Sequence, residues 1–179
     1  MMKDDIAHVL YSQETLQNKV KELGARITEE YSGRTPFLIG VLKGCFVFMA
    51  DLCRCIDLPC DIDFMAVSSY GSGTSTTGAV SITKDLSRDI EGRDVLIVED
   101  ILDSGVTLSY LKSYLNNRRP ASIKICTLLD KPARRRADIA ADFVGFVCPD
   151  SFVVGYGLDY AEKYRNLPYI GVLKPEIYE

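Results

Sequence analysis

The sequence predicts an α/β fold with a mainly parallel central sheet flanked by helices, formed by a single domain over residues 1–179. Strand-like apolar runs alternate with helix-like segments through the middle of the chain, which is typical of right-handed βαβ units. The run VLIV at 95–98 is apolar throughout, as in a strand covered on both faces of a parallel sheet. No repeat, low-complexity tract or Pro/Ser-rich linker interrupts the 179 residues, which favours one domain.

The spacing of apolar residues predicts the elements in chain order. Apolar residues at helical spacing from Ile6 to about Ile27 predict a first helix, which ends before Ser32 and Gly33. A buried strand over 37–42 and a helix over 45–56 follow. The later predicted elements are strands at 61–70 and 79–86 around the polar stretch 71–78, the strand at 95–98, a helix carrying Leu108, Leu111 and Leu115 that stops before Pro120, a strand at 122–129, and short apolar runs at 142–148, 152–156 and 169–173.

Composition and charge exclude several classes of protein. The chain is 47% hydrophobic, which excludes a disordered chain, and 21 Lys+Arg against 25 Asp+Glu give a net charge of −4. That balance predicts no nucleic-acid partner, and the basic runs RRPASIK and KPARRR are interpreted as solvated faces. No apolar run approaches the roughly 20 residues that span a bilayer, and the N-terminus has no apolar signal core. We therefore expect a cytoplasmic protein without a membrane partner.

Six cysteines raise the question of disulfides or a metal site. Cys53, Cys55 and Cys60 lack the CxxC spacing of a zinc site, and the single histidine, His8, is distant in sequence. Buried reduced thiols are the better prediction.

The segment that follows VLIV contains the chemistry. In a parallel α/β sheet, ligands bind beyond the carboxyl ends of the strands. The turn 103–107 offers the hydroxyls of Ser104 and Thr107 and the flexible backbone of Gly105, and it leads into a helix whose free N–H groups favour an anion. A phosphate is a physically sensible occupant of this turn. A capping turn with Asp103 or Ser104 as N-cap is the alternative.

The acids Glu99 and Asp100 directly before this turn need a separate explanation. Carboxylates repel a phosphate unless they face hydroxyl donors or a divalent cation. A ribose 5-phosphate satisfies both requirements, with its phosphate in the turn and its hydroxyls against the acids. Solvated loop acids are the alternative interpretation.

The segment VLIVEDILDSGVTL resembles the phosphoribosyl diphosphate signature of type I phosphoribosyltransferases. Other segments resemble the 6-oxopurine branch, the hypoxanthine-guanine phosphoribosyltransferases: the turn Leu42-Lys43-Gly44, SSYGSGTSTTG, LLDKPARR and PDSFVVGYGLDYAEKYRNLPYIGVL. The resemblance runs from about residue 37 to residue 173. It implies a hood formed by the terminal segments, a flexible active-site loop, and a homodimer or homotetramer.

The implied reaction is transfer of a 5-phosphoribosyl group from phosphoribosyl diphosphate to N9 of hypoxanthine, and of guanine as well, with release of diphosphate. The resemblance assigns roles to residues already named: Asp103 to share the purine N7 proton; Ser104, Gly105, Val106 and Thr107 to hold the 5′-phosphate; Glu99 and Asp100 to hold ribose hydroxyls, directly or through hydrated Mg²⁺. It assigns further residues by region: Lys43, Gly44 and Arg165 to diphosphate; Asp159, with Glu99 and Asp100, to Mg²⁺; Lys131, Phe152 and Val153 to the purine; Ser69 and Tyr70 to a lid.

Two other functions remain open from the residues alone. One is a non-catalytic regulator that senses phosphoribosyl diphosphate, and the other is a phosphoribosyltransferase that prefers xanthine. Asp103, Lys131, Phe152 and Asp159 are all present and no basic extension exists, which favours the enzyme over the regulator.

Overall fold

The computed structural model describes residues 1–69 and 80–179, and its elements follow the predicted alternation closely. The strands are β1 Ile6–Tyr11, β2 Phe37–Leu42, β3 Asp61–Ser69, β4 Val80–Lys84, β5 Asp94–Leu102, β6 Ser122–Asp130, β7 Phe143–Val147, β8 Val153–Val154 and β9 Ile170–Leu173. The helices are α1 Gln13–Glu30, α2 Phe46–Cys53, α3 Val106–Asn116 and α4 Pro175–Tyr178. Within this part of the chain, no helix is both long and apolar enough to cross a bilayer.

A six-stranded sheet in the order β4-β3-β2-β5-β6-β7 forms the centre of the fold. Its strands β3, β2, β5, β6 and β7 run parallel, and β4 is an antiparallel edge strand. The predicted α/β class with a mainly parallel sheet is confirmed.

Alternating side chains of the central strands pack into two different cores. Leu96 and Val98 of β5 face α1 and α2, whereas Val95 and Ile97 face α3. Because both faces of the sheet are covered, consecutive residues of its central strands are apolar over continuous runs, as the VLIV run indicated. The helical leucines 108, 111 and 115 are all buried, as their spacing predicted.

The first predicted helix is wrong at its beginning. Residues 6–11 form β1, which pairs antiparallel with β9 near the other end of the chain, and the helix begins only at Gln13. Ser12 caps it, since the Ser12 side chain accepts a hydrogen bond from Thr15 N at 3.2 Å. Because β1 pairs with a strand some 160 residues away, no local periodicity in the sequence could have revealed that residues 6–11 form a strand.

A second sheet in the order β1-β9-β8 joins the two ends of the chain, and it is the hood that the resemblance implied. Its small core contains Val154, Tyr164, Leu167 and Leu173. The hood places the loop 155–169 over the carboxyl edge of the central sheet.

The cysteines are all free, as expected. Cys45, Cys126 and Cys148 are buried, while Cys53, Cys55 and Cys60 are only half-buried. The predicted helix over 45–56 ends at Cys53, and most of its apolar residues enter the core, although Phe46 remains 45% exposed.

Candidate active site

The candidate site lies where the order of the strands reverses, between β2 and β5. The connection after β2 passes through α2 to β3 on one side, and the connection after β5 passes through α3 to β6 on the other. Since β2 and β5 are parallel neighbours, the segments that follow Leu42 and Leu102 diverge from the same edge and leave a crevice between them.

The turn after β5 has the geometry of an anion site. Gly105 is the N-cap of α3 with φ of +78°, a left-handed conformation that favours glycine. Ser104 Oγ accepts a hydrogen bond from Val106 N at 3.3 Å, whereas the other N–H groups of the first helical turn have no intrahelical acceptor. Asp103 is exposed at the mouth of the turn. The two interpretations of this turn are therefore compatible, because a hydroxyl cap still leaves free N–H groups for an anion.

The acids Glu99 and Asp100 are not loop acids, since they lie inside β5. Glu99 is half-buried, and Asp100 is buried with its Oδ1 accepting from Ile101 N at 2.8 Å. Burial, followed by the charge of Asp100, raises the pKa of Glu99, and burial also raises the pKa of Asp100. Two adjacent carboxylates at a buried strand end are stabilised in their charged form by hydroxyl donors or by a cation.

The turn after β5 forms the first corner of the site, and a second corner forms around Gly44. The Leu42–Lys43 peptide bond is cis, and a Cβ on Gly44 would lie 2.7 Å from Asp100 Cγ. Gly157 of the hood loop, with φ of +102°, packs so closely on the opposite side that a Cβ there would lie 3.3 Å from Gly44 C and would overlap Gly44 O. Only glycine fits both positions, and their contact joins the hood loop to the end of β2.

Lys43 and Arg165 meet at this corner through one carboxylate. Glu162 Oε2 accepts from Lys43 Nζ at 2.8 Å, and Glu162 Oε1 accepts from Arg165 Nη2 at 3.3 Å. Arg165 also donates to Gly157 O at 2.7 Å and pairs with Asp159 at 3.0 Å. Asp159 in turn accepts from Glu162 N at 2.8 Å, so it caps the loop as well as facing the arginine.

The third corner contains the residues expected to contact a base. Lys131 is buried, donates from Nζ to Ser151 O at 2.8 Å, and lies 3.6 Å from Asp150. Its backbone N–H donates to Leu102 O at 2.9 Å. This hydrogen bond fixes Lys131 beside the turn 103–107, which is called the anion turn below. Phe152 is 38% exposed and does not belong to the core, and Val153 is buried in β8.

The chain as a whole matches a known family. The phosphoribosyl transferase domain family model matches residues 10–161. The hypoxanthine-guanine phosphoribosyltransferase of Bacillus subtilis is 64% identical over 179 residues, which is 100% of this chain and 99% of that protein. This chain belongs to the hypoxanthine-guanine phosphoribosyltransferase family.

Solved structures of the family share its fold. A hypoxanthine phosphoribosyltransferase from Staphylococcus aureus superposes with a TM-score of 0.96 at 55% identity, covering 99% of this chain and 97% of that one. A variant of the Trypanosoma cruzi hypoxanthine phosphoribosyltransferase, solved as a ternary substrates complex, gives a TM-score of 0.93 at 42% identity and covers 98% of this chain and 100% of that one.

The two residues expected in a lid lie at the edge of the described residues or outside them. Tyr70 of the expected lid lies outside the described residues, and Ser69 is described only as the backbone end of β3, paired with Val80. The lid stays a prediction.

Other residues at the site were missed by sequence reasoning. Glu162 and Gly157 occupy the hood loop, and Tyr178 stacks on Phe152 with ring centroids 4.7 Å apart. Arg135, interpreted as part of a solvated basic run, instead has a side chain that is 19% exposed and donates to three backbone carbonyls. Glu162 could have been found, because it is an acid that lies between two residues already expected at the site, Asp159 and Arg165. Nothing in the sequence distinguishes Arg135 from the arginines on either side of it.

Removing the Glu162 carboxylate is expected to strengthen diphosphate binding. Its hydrogen bond with Lys43, and then its proximity to Arg165, hold the pKa of Glu162 below its usual range, so it is a charged competitor for both cations. Because exposed ion pairs are weak, Glu162→Gln should lower the Kd of inorganic diphosphate by only about two- to fivefold. Isothermal titration calorimetry measures this.

The matched control is Glu91→Gln. This substitution changes the net charge by the same amount and breaks the exposed ion pair between Glu91 and Arg119. Glu91 lies in the connection that precedes β5. An equal gain in both variants would show a general charge effect and contradict the competition.

Proposed function

We propose that the chain catalyses transfer of the 5-phosphoribosyl group from phosphoribosyl diphosphate to N9 of hypoxanthine, and of guanine, giving a nucleoside monophosphate and diphosphate in purine salvage. The observation that carries the proposal is the hydrogen bond from Lys131 N to Leu102 O. This hydrogen bond makes the buried Lys131 of the base corner an immediate neighbour of the anion turn. Relatives of this chain are named as hypoxanthine-guanine or hypoxanthine phosphoribosyltransferases, which supports the same activity.

The phosphate end of the substrate is proposed to bind at 104–107. Backbone N–H groups and the hydroxyls of Ser104 and Thr107 donate to the 5′-phosphate, and the dipole of α3 favours its charge. Glu99 and Asp100 accept from the ribose hydroxyls. This division explains how a chain with a net charge of −4 binds a polyanion, since the acids face hydroxyls and the amides face phosphate.

The diphosphate is proposed to bind at Lys43, Gly44 and Arg165. The closeness of Gly44 to Asp100 brings this corner next to the ribose acids. When the C1–O bond breaks, its electron pair leaves on diphosphate, and the two cations stabilise the developing charge there.

The residues present fit Mg²⁺. Among residues 1–69 and 80–179, no group of three or more acidic, His or Cys side chains is arranged to enclose a metal, and Mg²⁺ prefers few protein ligands with substrate oxygens and water completing its shell. Glu99, Asp100 and Asp159 would hold it, directly or through water. When bound, the ion supplies positive charge that neutralises diphosphate and orients it.

The base is proposed to lie between Lys131 and the Phe152 ring. Lys131 Nζ donates to the exocyclic O6, which discriminates against adenine because the adenine 6-amino group is itself a donor. Phe152 is braced on one side by Tyr178 while its ring stays partly exposed, and Val153 offers its backbone. As N9 bonds to C1, Asp103 takes the proton from purine N7.

A direct assay tests the proposal. Purified protein is incubated with phosphoribosyl diphosphate, Mg²⁺ and hypoxanthine, guanine, xanthine or adenine in turn, and diphosphate release is measured. We expect release with hypoxanthine and guanine. Release with none of the 6-oxopurines would refute the activity, and preferential release with xanthine would replace the base assignment.

Replacing Lys131 by Met is expected to weaken base binding selectively. A charge-assisted hydrogen bond contributes about 1.5–3 kcal/mol, so the KM for hypoxanthine should rise by about 10- to 100-fold. The KM for phosphoribosyl diphosphate should change far less, because its contacts lie in the other two corners. Steady-state kinetics with each substrate varied separately measures the two constants.

Lys124→Met is the control. Lys124 lies near the start of β6, where it pairs with Glu30, whereas Lys131 directly follows the other end of this strand. An unchanged KM for hypoxanthine in Lys131→Met would remove this lysine from the base site.

A further inference from the structure

The carbonyl groups of the turn that precedes α3 are held by a single segment, residues 131–139. Leu102 O accepts from Lys131 N at 2.9 Å. Ser104 O accepts from the backbone N–H groups of Arg136 and Ala137, at 2.8 and 3.1 Å. The carbonyl between them, Asp103 O, accepts from a side chain instead, Arg135 Nε at 3.0 Å.

The Arg135 guanidinium is held in one orientation by its other partners. Nη1 donates to Ile139 O at 2.7 Å, Nη2 lies 3.4 Å from Leu102 O, and Nη2 also pairs with Asp130 at the end of β6. Its stem packs against the turn, because a Cβ on Gly105 would lie 3.1 Å from Arg135 Cδ. A planar fork of donors suits this set of acceptors, and the ammonium of a lysine does not.

Holding these carbonyls determines where the amides of the turn point. A trans peptide is planar, so its C=O and the following N–H point in opposite directions. With Asp103 O directed at Arg135, Ser104 N–H is directed away from it, towards the opposite side of the turn. The same argument applies to the N–H groups of Asp103 and Gly105, whose preceding carbonyls are held by the same segment.

We propose that Arg135 is a positioning residue that orients the Asp103–Ser104 peptide, so that Ser104 N–H meets the 5′-phosphate. The inference rests on the proposed function, which puts the 5′-phosphate in this turn. Arg135 itself touches no substrate.

The test separates phosphate binding from base binding. Arg135→Met keeps the stem and removes all five donors, and Arg135→Lys keeps the charge beside Asp130 without the fork. The probes are inosine 5′-monophosphate and inosine, which differ only in the phosphate, together with ribose 5-phosphate. Kd values come from calorimetry, and Tm is measured for each variant.

We expect Arg135→Met to raise the Kd of inosine 5′-monophosphate by about tenfold or more and to leave that of inosine within about twofold, because a misoriented donor affects only the phosphate. Arg135→Lys should lie between Arg135→Met and the unmodified protein. The control Arg136→Met, one residue along with an exposed side chain, should bind all three probes normally.

Equal weakening of inosine 5′-monophosphate and inosine would indicate a merely structural role and overturn the inference, as would unchanged affinity in both variants. If Arg135→Met does not fold, Arg135→Lys makes the same comparison. The proposed function and the positioning role have separate tests. Absence of diphosphate release in the unmodified protein refutes the proposed function. The dependence of ribose 5-phosphate binding on Arg135 tests the positioning role whether or not diphosphate is released.

Discussion

Asp103→Asn is expected to lower kcat for phosphoribosyl transfer by about 10²- to 10⁴-fold, the usual contribution of a positioned general base. Asparagine has nearly the same size but cannot take the proton that purine N7 loses as N9 bonds to C1. Asp103 is exposed, so the substitution introduces no buried unpaired group. Pre-steady-state and steady-state kinetics with hypoxanthine measure the loss.

Binding of the 5′-phosphate should survive this substitution, because the proposed donors of the turn are backbone amides and hydroxyls. The Kd of ribose 5-phosphate should therefore stay within about twofold of its original value. Asp138→Asn removes an exposed acid from the neighbouring segment and is the control for charge alone. A kcat that Asp103→Asn leaves intact would exclude the proton role.

Gly157→Ala is expected to disrupt the diphosphate corner. The residue has φ of +102°, and a Cβ would overlap the backbone oxygen of Gly44, which cannot move without shifting the end of β2. Backbone strain and overpacking each cost about 1–3 kcal/mol, so the free energy of unfolding should fall by several kcal/mol. The KM for phosphoribosyl diphosphate should rise about tenfold, which corresponds to a loss of about 1.4 kcal/mol of binding free energy when Gly44 and Arg165 are displaced.

Gly92→Ala separates conformation from contact. Gly92 also has positive φ, at +70°, but a Cβ there would meet nothing within 4 Å. It should lose about 1–2 kcal/mol of unfolding free energy from the left-handed conformation alone, and the KM for phosphoribosyl diphosphate should not change. Similar losses of stability and equal KM values in the two variants would contradict the role assigned to the Gly157–Gly44 contact.

Most of the central sheet could be predicted from the sequence because its strands are buried on both faces. Apolar runs mark β2 with the observed bounds, the middle of β5, and all of β6 except its last residue. The end of β5 was underestimated by several residues, since Glu99 and Asp100 interrupt the apolar pattern although the backbone continues in the strand to Leu102. Polar residues at a strand end look the same in sequence whether they lie in the ladder or beyond it.

The hood could not be predicted from residue patterns in the same way. Its strands β8 and β9 lie within the apolar runs at 152–156 and 169–173, but β9 pairs with β1 from near the other end of the chain, and that pairing produces no local signal. Only the resemblance to a family with a hood implied it, and the residues themselves indicated a helix at the position of β1.

The sequence by itself determined the chemistry that is available: a glycine- and hydroxyl-containing turn before a helix, two acids beside it, and the lysine and glycine that follow β2. Those features are local, since a turn's anion preference follows from residues within one helical turn of each other. The tertiary structure decided which of them meet. The strand order puts the ends of β2 and β5 side by side, the Gly157–Gly44 contact brings Arg165 and Asp159 over that edge, and the segment 131–139 holds the carbonyls of residues 102–104. These arrangements depend on contacts between residues far apart in the chain, and their pairing is set by packing of the whole fold.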